Sequence, residues 1–338
     1  MYKKIKGKKI LIVGGAGFIG HNLALDLIKL GTKVTVVDGL EINNLTAMVD
    51  NKYNLPFPEL STSIINERLD LFKSAKIKLI VQDARDYHAM SRIVDQIKPN
   101  IVIHLAAVSH ADRSNKTPFT TFDHSLRTLE NVLDASKNKI SQLIFLSSSM
   151  VYGNFKSSIV SEDSICEPIG IYGALKYSAE KIIIAYNQVF GLNYTIIRPS
   201  ALYGERCISR RAGQVFIENA INNKTISING DGSDKLDFTY IKDLTNGIIS
   251  CIGNKKSYNQ IFNLTFGNSR KISEMIKILK LHFPKIQVVY KKRDKLMPKR
   301  GTLSIGKAKK LLKYKPIWPL EKGYSKYIQW YKEIFKKI

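Results

Sequence analysis

Tyr172 and Lys176 stand four residues apart in the run Tyr172-Gly173-Ala174-Leu175-Lys176, a spacing that puts both side chains on one face of a helix. An ammonium beside a phenol stabilises the phenolate and lowers its pKa, which suits a tyrosine to move a proton near neutral pH. Ser147-Ser148-Ser149 lie upstream, and one of these hydroxyls can hydrogen-bond a reacting oxygen. Near the start of the chain, Gly14-Gly15-Ala16-Gly17-Phe18-Ile19-Gly20 has the glycine spacing of a phosphate-binding loop. Such a loop lets backbone approach a pyrophosphate, and the helix N-terminus behind it stabilises the anion. Alone, either motif recurs by chance, and a Tyr-x-x-x-Lys pair is commonly a surface helix feature. Together they predict a dinucleotide and a proton-transfer group sharing one site.

The elements around these residues have the order such a site requires. Lys9-Ile10-Leu11-Ile12-Val13 is a short apolar run ending in glycines, the pattern of a buried parallel strand. Residues 18–30 carry apolar positions at helical spacing, and Gly31 stands where a C-cap belongs. The second strand, 34–37, ends at Asp38, where a carboxylate accepts hydrogen bonds from an adenosine ribose and repels a 2′-phosphate. That favours NAD over NADP. Asp83, after the third strand, is placed to meet the adenine edge or to be an ordinary loop acid.

Further strands are predicted at 78–82, 101–105, 142–147 and 194–198, with helices at 87–97, 120–137 and 172–190. This alternation predicts an α/β fold: a Rossmann-type doubly wound parallel sheet with helices on both faces. The serine run then closes the fifth strand at its C-terminal end, where open α/β sheets hold ligands. The segment 39–76, interrupted by Pro56 and Pro58, is longer than a usual βα connection and predicts a lid or a subunit contact. After Pro199 the pattern loosens into turns, short strands and helices. Residues 1–199 therefore form the predicted cofactor domain and residues 200–338 mainly a smaller C-terminal α/β substrate-binding lobe, some segments returning to the first domain.

The bulk properties exclude several classes. The chain has 338 residues, 44% hydrophobic and 24% charged, the balance of an ordinary globular protein. No apolar run reaches the ~20 residues of a membrane span, and the apolar stretch after the basic N-terminus is too short for a signal peptide; a cytoplasmic location is expected. Cys166, Cys207 and Cys251 are odd in number and widely spaced, which predicts reduced thiols, no disulfide and no metal site. The net charge of +25 comes from dispersed lysines, mildly clustered at 3–9, 291–300 and 307–315, outside any recognisable nucleic-acid module. Solvated lysines are expected, and no nucleic-acid partner; the cationic surface helps recruit an anionic small substrate.

The chain resembles the extended short-chain dehydrogenases/reductases of the NAD-dependent epimerase/dehydratase family, in the branch that modifies nucleotide sugars. The likeness runs essentially end to end, through Gly14–Gly20, Asp38, Asp83–Asp86, His104-Leu105-Ala106-Ala107, the serine run to Gly153, Tyr172–Lys176, Arg198-Pro199, Tyr203-Gly204, Gly230-Asp231-Gly232 and Asp237–Ile241. The resemblance implies a catalytic triad of Ser148, Tyr172 and Lys176, the lysine also holding the nicotinamide ribose. It implies cofactor contacts from Gly14, Gly17, Phe18, Ile19, Gly20, Asp38, Asp83, Ala84, Leu105, Ala106, Ala107, Tyr172, Lys176 and Pro199, and a homodimer formed through a helical bundle.

Four departures bear on the substrate. Met150 replaces the acidic residue with which family dehydratases eliminate water, which counts against dehydratase and decarboxylase chemistry. Ala201 stands where many members carry Asn, His124 where a helical Asn is common, and Leu236 where many carry the Arg that meets the substrate diphosphate. Arg210, Arg211, Lys235 or Arg300 is expected to supply the missing positive charge, Arg300 first. The expected substrate contacts are Ser109, His110, Ser148, Ser149, Arg211, Lys235 and Arg300; His110 has a structural reading as well.

The expected activity is that of an NAD-dependent epimerase acting on a nucleotide-diphosphate sugar through a transient 4-keto sugar, with Tyr172 as acid and base. A 4-dehydrogenase or 4-keto reductase uses the same residues with net hydride transfer. A non-catalytic NAD-binding scaffold or regulator is the reading from another class; its mark would be loss of Ser148, Tyr172 or Lys176, and all three are present.

Overall fold

Seven short apolar runs build the centre of the molecule in a computed structural model. The structure describes all residues except 1–4, 42, 43, 46, 47, 49, 51–54, 109, 110, 295 and 338, and the side chains of 111–113. The strands are β1 (Lys9–Val13), β2 (Lys33–Asp38), β3 (Lys78–Val81), β4 (Ile101–His104), β5 (Gln142–Leu146), β6 (Tyr194–Arg198) and β7 (Gln260–Asn263). They pair in the order β7-β6-β5-β4-β1-β2-β3, every pair parallel. The residues of β4, β5 and β6 are all buried, as a sheet covered by helices on both faces demands. Strand order reverses between β1 and β4, whose last residues Val13 and His104 lie in register. A cleft opens beyond that point, lined by the glycine loop and by Leu105, Ala106 and Ala107 after β4.

Segments from beyond residue 199 return to the first part of the chain. Strand β7, from beyond it, completes the sheet edge beside β6. The helix Ile241–Cys251 packs on the first helix, Phe18–Lys29, where Lys242 meets Asp26 at 3.0 Å. The remaining lobe is built from the helices Ala212–Ile221, Ile272–His282 and Leu320–Phe335 and several two-stranded pairs. Its core is aromatic: Tyr240, Tyr324, Tyr327 and Tyr331 are completely buried.

Two segments differ from the sequence expectation. The helix predicted over 120–137 is broken into Pro118–Phe122, a π turn over Asp123–Arg127, and Thr128–Ser136. The wider turn swings Asp123 to Arg85 at 2.9 Å and His124 to Glu41 at 2.9 Å, tertiary ion pairs that helical periodicity does not register. Pro58, expected to interrupt its segment, instead begins the helix Pro58–Ser74, because a first-turn residue needs no N–H. That helix packs against Phe18–Lys29 and buries Leu60, Ile64 and Phe72. Among the described residues no helix is long and apolar enough to cross a membrane, and no cluster of metal-ligating side chains occurs. Cys166, Cys207 and Cys251 are free thiols.

Candidate active site

The glycine loop owes its composition to two different needs. Gly14 sits at φ +76°, and a Cβ there would lie 2.5 Å from the Ala106 nitrogen; a Cβ on Gly20 would lie 2.4 Å from the Gly15 Cα. Those positions let the loop close on itself and on the end of β4. At Gly17 the nearest protein atom to a Cβ is 3.6 Å away, so its missing side chain leaves room for a ligand. Gly17 also caps the helix beginning at Phe18 without any side-chain hydrogen bond, which leaves first-turn amides facing the opening.

That opening is a cavity of about 690 Å³, within the range of ligand sites. Gly14, Gly17, Phe18, Ile19 and Gly20 line it, with Asp38, Asp83 and Ala84 on one side and Leu105, Ala106 and Ala107 on the other. The structure thus gathers these expected residues around one volume, and their chemistry fits a dinucleotide. Asp38 Oδ2 accepts from the Ala16 amide at 2.9 Å and Oδ1 from the Leu40 amide at 2.8 Å. It braces the glycine loop while lining the cavity. Burial pushes its pKa up, and these amides and the Arg68 charge oppose that shift. Asp83 is held by Arg85, at 2.9 and 2.6 Å to Oδ2, and those bonds lower its pKa. Arg85 also reaches Asp123 and Glu41. His124, Glu41 and Asp83 line this end of the cavity.

Tyr172 and Lys176 project from the helix Gly170–Phe190. Gly173 lets it close on the serine turn, since a Cβ there would lie 2.8 Å from the Met150 carbonyl oxygen. The three serines have separate fates. Ser147 donates to Glu180 Oε1, which also receives Arg198 Nε at 3.0 Å, so that hydroxyl is bound into a buried network. Ser149 is 1% exposed, and its amide donates to the Pro199 carbonyl at 2.9 Å. Ser148 Oγ accepts from the Met150 amide at 3.2 Å, and its hydroxyl lies near enough to the Tyr172 phenol to act on its pKa.

Burial raises the Tyr172 pKa; the Arg211 charge and the nearby Ser148 hydroxyl pull it down. This differs from the sequence expectation, which assigned the lowering to Lys176. Lys176 is buried, and its Nζ donates to the Leu146 carbonyl at 2.7 Å while lying 4.8 Å from the Phe145 ring centroid. Burial lowers its pKa to about 8, opposed by Glu180. A dehydrated ammonium takes the nearest strong acceptor, here the open carbonyl at the end of β5. Sequence reasoning missed Glu180 as part of this group, although its place one turn beyond Lys176 was a usable signal.

Beyond Arg211 a second cavity of about 190 Å³ is lined by Ser227, Asn229, Lys235 and Arg300, among others. Arg211 lines the large cavity. The Nε atoms of Arg211 and Arg300 are both buried without a partner among the described residues. Burial first, and then the Arg211 charge, lower the Arg300 pKa to about 10. Two neighbouring guanidiniums with unmet donors form a site for an anion. Arg210 is excluded from that role by its bond to buried Glu218 at 2.8 Å. Lys235 is exposed, and Leu236 on the same short strand pairs with Arg270. Ser109 and His110 lie outside the described residues. Ala201 holds φ +37°, a conformation in which Asn is more comfortable than Ala.

The profile of the NAD dependent epimerase/dehydratase family matches residues 10–265. UDP-glucuronate 4-epimerase of Thermodesulfobacterium geofontis is 30% identical over 331 residues, covering 97% of each chain. The solved structure of UDP-glucuronic acid 4-epimerase from Bacillus cereus, in complex with UDP-glucuronic acid and NAD, superposes with a TM-score of 0.82 at 27% identity, covering 96% of this chain and 99% of that one. UDP-glucose 4-epimerase from Thermotoga maritima, with UDP-glucose, gives 0.83 at 26% identity over 97% and 99%. The chain described here belongs to the NAD-dependent epimerase/dehydratase family.

Proposed function

We propose that this protein is an NAD-dependent epimerase that inverts C4 of a UDP-sugar. The observation that carries the reading is the place of Tyr172: its titration is tuned by the Ser148 side chain and by the charge of Arg211, which also acts on Arg300. Arg211, which lines the cavity, thereby links the phenol to that cavity and to the anion site. The glycine loop, Asp38 and Ala106 would hold NAD, which would supply the hydride acceptor and donor for C4. Tyr172 as phenolate takes the proton of the 4-hydroxyl and gives it back to the other epimer. Ser148 shares the hydrogen bond, and Lys176 holds the ribose and a compensating charge. Arg211 and Arg300 hold the diphosphate in place of the arginine that Leu236 lacks, so the keto sugar turns while its anchor stays fixed. Met150, on the turn Ser149–Tyr152, has no proton to give, which leaves elimination without its acid.

The test is proton NMR of the NAD-loaded protein with UDP-glucose, UDP-glucuronic acid and UDP-N-acetylglucosamine. Many turnovers to a mixture of two C4 epimers support the reading. Conversion of one equivalent per bound NAD would contradict it and indicate a dehydrogenase.

Replacing either arginine by methionine removes a charge-assisted bond worth about 1.5–3 kcal/mol, so affinity for UDP is expected to fall roughly ten- to hundredfold by calorimetry. Arg211→Met also removes a charge that lowers the Tyr172 pKa. Its acidic activity limb therefore moves to higher pH, whereas that of Arg300→Met stays in place. Identical pH profiles would detach Arg211 from Tyr172.

We also propose a homodimer. Phe119 and Phe122, and Val189 and Phe190 at the end of the Tyr172 helix, are exposed, and a second copy across these helices covers such apolar surface. Sedimentation at twice the chain mass is expected; a monomer at micromolar concentration refutes it.

A further inference from the structure

One buried cation beside the cofactor-shaped cavity has no part in the reaction above. Arg68 is 2% exposed, belongs to the helix Pro58–Ser74 inside the long connection after β2, and lines that cavity. Its Nη1 donates to the Ala16 carbonyl in the glycine loop at 3.1 Å. Its Nε donates to the Arg206 carbonyl at 3.1 Å, and Nη2 donates to the same oxygen. Ala16 is thus gripped twice, its carbonyl by Arg68 and its amide by Asp38 at 2.9 Å.

Arg206 is gripped twice as well. Its guanidinium meets Glu67, the neighbour of Arg68, at 3.1 Å, and its Nε donates to His21 Nε2 at 3.1 Å. Buried His21 has its pKa held well below the ordinary value, by burial and then by the charges of Arg68 and Arg206. The ring is therefore neutral: Nδ1–H donates to the Gly17 carbonyl at 2.8 Å, and Nε2 is left as the acceptor. Arg206 takes φ +61° and begins the segment that carries Ile208, Ser209 and Arg211 to the cavity wall. One turn of helix, Glu67-Arg68, therefore ties the glycine loop at Ala16 and, through Arg206 and His21, at Gly17 to the backbone leading to the anion site. A fully buried guanidinium is costly to desolvate, and packing alone is served by an apolar side chain.

We propose that Arg68 is a positioning residue that couples the two halves of the site, so that a dinucleotide on the glycine loop strengthens binding of a nucleoside diphosphate at Arg211, and the reverse. The inference rests on reading those places as the NAD and UDP-sugar sites. Such coupling is reciprocal, so it is measurable without turnover.

The experiment follows NADH release from the NADH-loaded protein by fluorescence, with and without UDP. UDP is expected to slow release by about tenfold in the wild type, within the usual range of coupling between sites. Arg68→Lys keeps the charge but loses the wide planar fork that spans the two carbonyls, and the effect of UDP falls below twofold. Glu67→Gln, at a side chain 36% exposed, cuts only the grip on Arg206 and reduces the effect severalfold; it serves as the folded variant if Arg68→Lys is unstable. Wild-type release indifferent to UDP, with both ligands bound, overturns the coupling alone, as does a full UDP effect in either variant. Failure of NADH or UDP to bind at all overturns the site reading itself.

Discussion

Tyr172→Phe is expected to retain NAD and fold normally while losing turnover by about 10³-fold, the middle of the range for a positioned acid/base. The substitution removes one oxygen and leaves the ring in its half-buried place. The cavity lined by Gly14, Gly17 and Asp38 does not include Tyr172, so cofactor retention is not expected to change with it. The pH profile sharpens the expectation. Burial holds the phenol above its ordinary pKa in the free protein, so it carries its proton at neutral pH until further positive charge arrives. The acidic limb of kcat, which reports the loaded complex, is therefore expected to be the titration of Tyr172, and residual activity in Tyr172→Phe shows no such limb. Activity within tenfold of wild type, with the limb intact, would remove Tyr172 from the reaction.

Glu180→Gln carries the largest expected loss of stability, about 3–5 kcal/mol, because it leaves a buried guanidinium without its counter-charge. Arg198 and Glu180 are 3% and 1% exposed and meet at 2.6 Å, with Ser147 bonded to the same carboxylate. Chemical denaturation measures the change; a loss below 1 kcal/mol would show that Gln and Ser147 between them satisfy Arg198. A second readout separates this acid from an ordinary structural one. Glu180 opposes the burial that holds Lys176 at about 8, so the alkaline limb of activity, set by loss of the lysine proton, moves to lower pH in the variant. The lowered lysine pKa also fixes the sign of its effect on folding. The folded protein binds this proton less tightly than the unfolded chain, so the group opposes folding below pH 8. Its contribution to stability improves as pH rises from about 8 toward the unfolded value near 10.5.

The parts of the site legible in the sequence are those built from short spacings. Glycines at one loop, a carboxylate at the next strand end, and Tyr172 with Lys176 a helical turn on are local patterns, and the sheet brings most of them around one cavity. The parts that were not legible depend on distant partners. Arg210 and Arg211 are neighbours in sequence, yet only the fold shows that buried Glu218 engages the first and leaves the second to the cleft. Arg68 sits in a connection with no catalytic pattern, and its acceptor on Arg206 lies 138 residues away. The π turn at Asp123–Arg127 is set by Arg85 and Glu41, which come from two other loops. Lys176 lies one helical turn beyond Tyr172 on the helix Gly170–Phe190, but the direction of its ammonium is set by the Leu146 carbonyl at a strand end.

The central claim is that hydrogen leaves C4 and returns to the same carbon inside one closed site. The most direct test runs the NAD-loaded protein with a UDP-sugar in deuterium oxide and follows C4 by proton NMR and mass spectrometry. The account predicts both C4 epimers with the original hydrogen at C4, no deuterium incorporated there, and no NADH accumulating as turnover proceeds. Deuterium at C4 of the product, or epimers formed equally well by Tyr172→Phe, would contradict it.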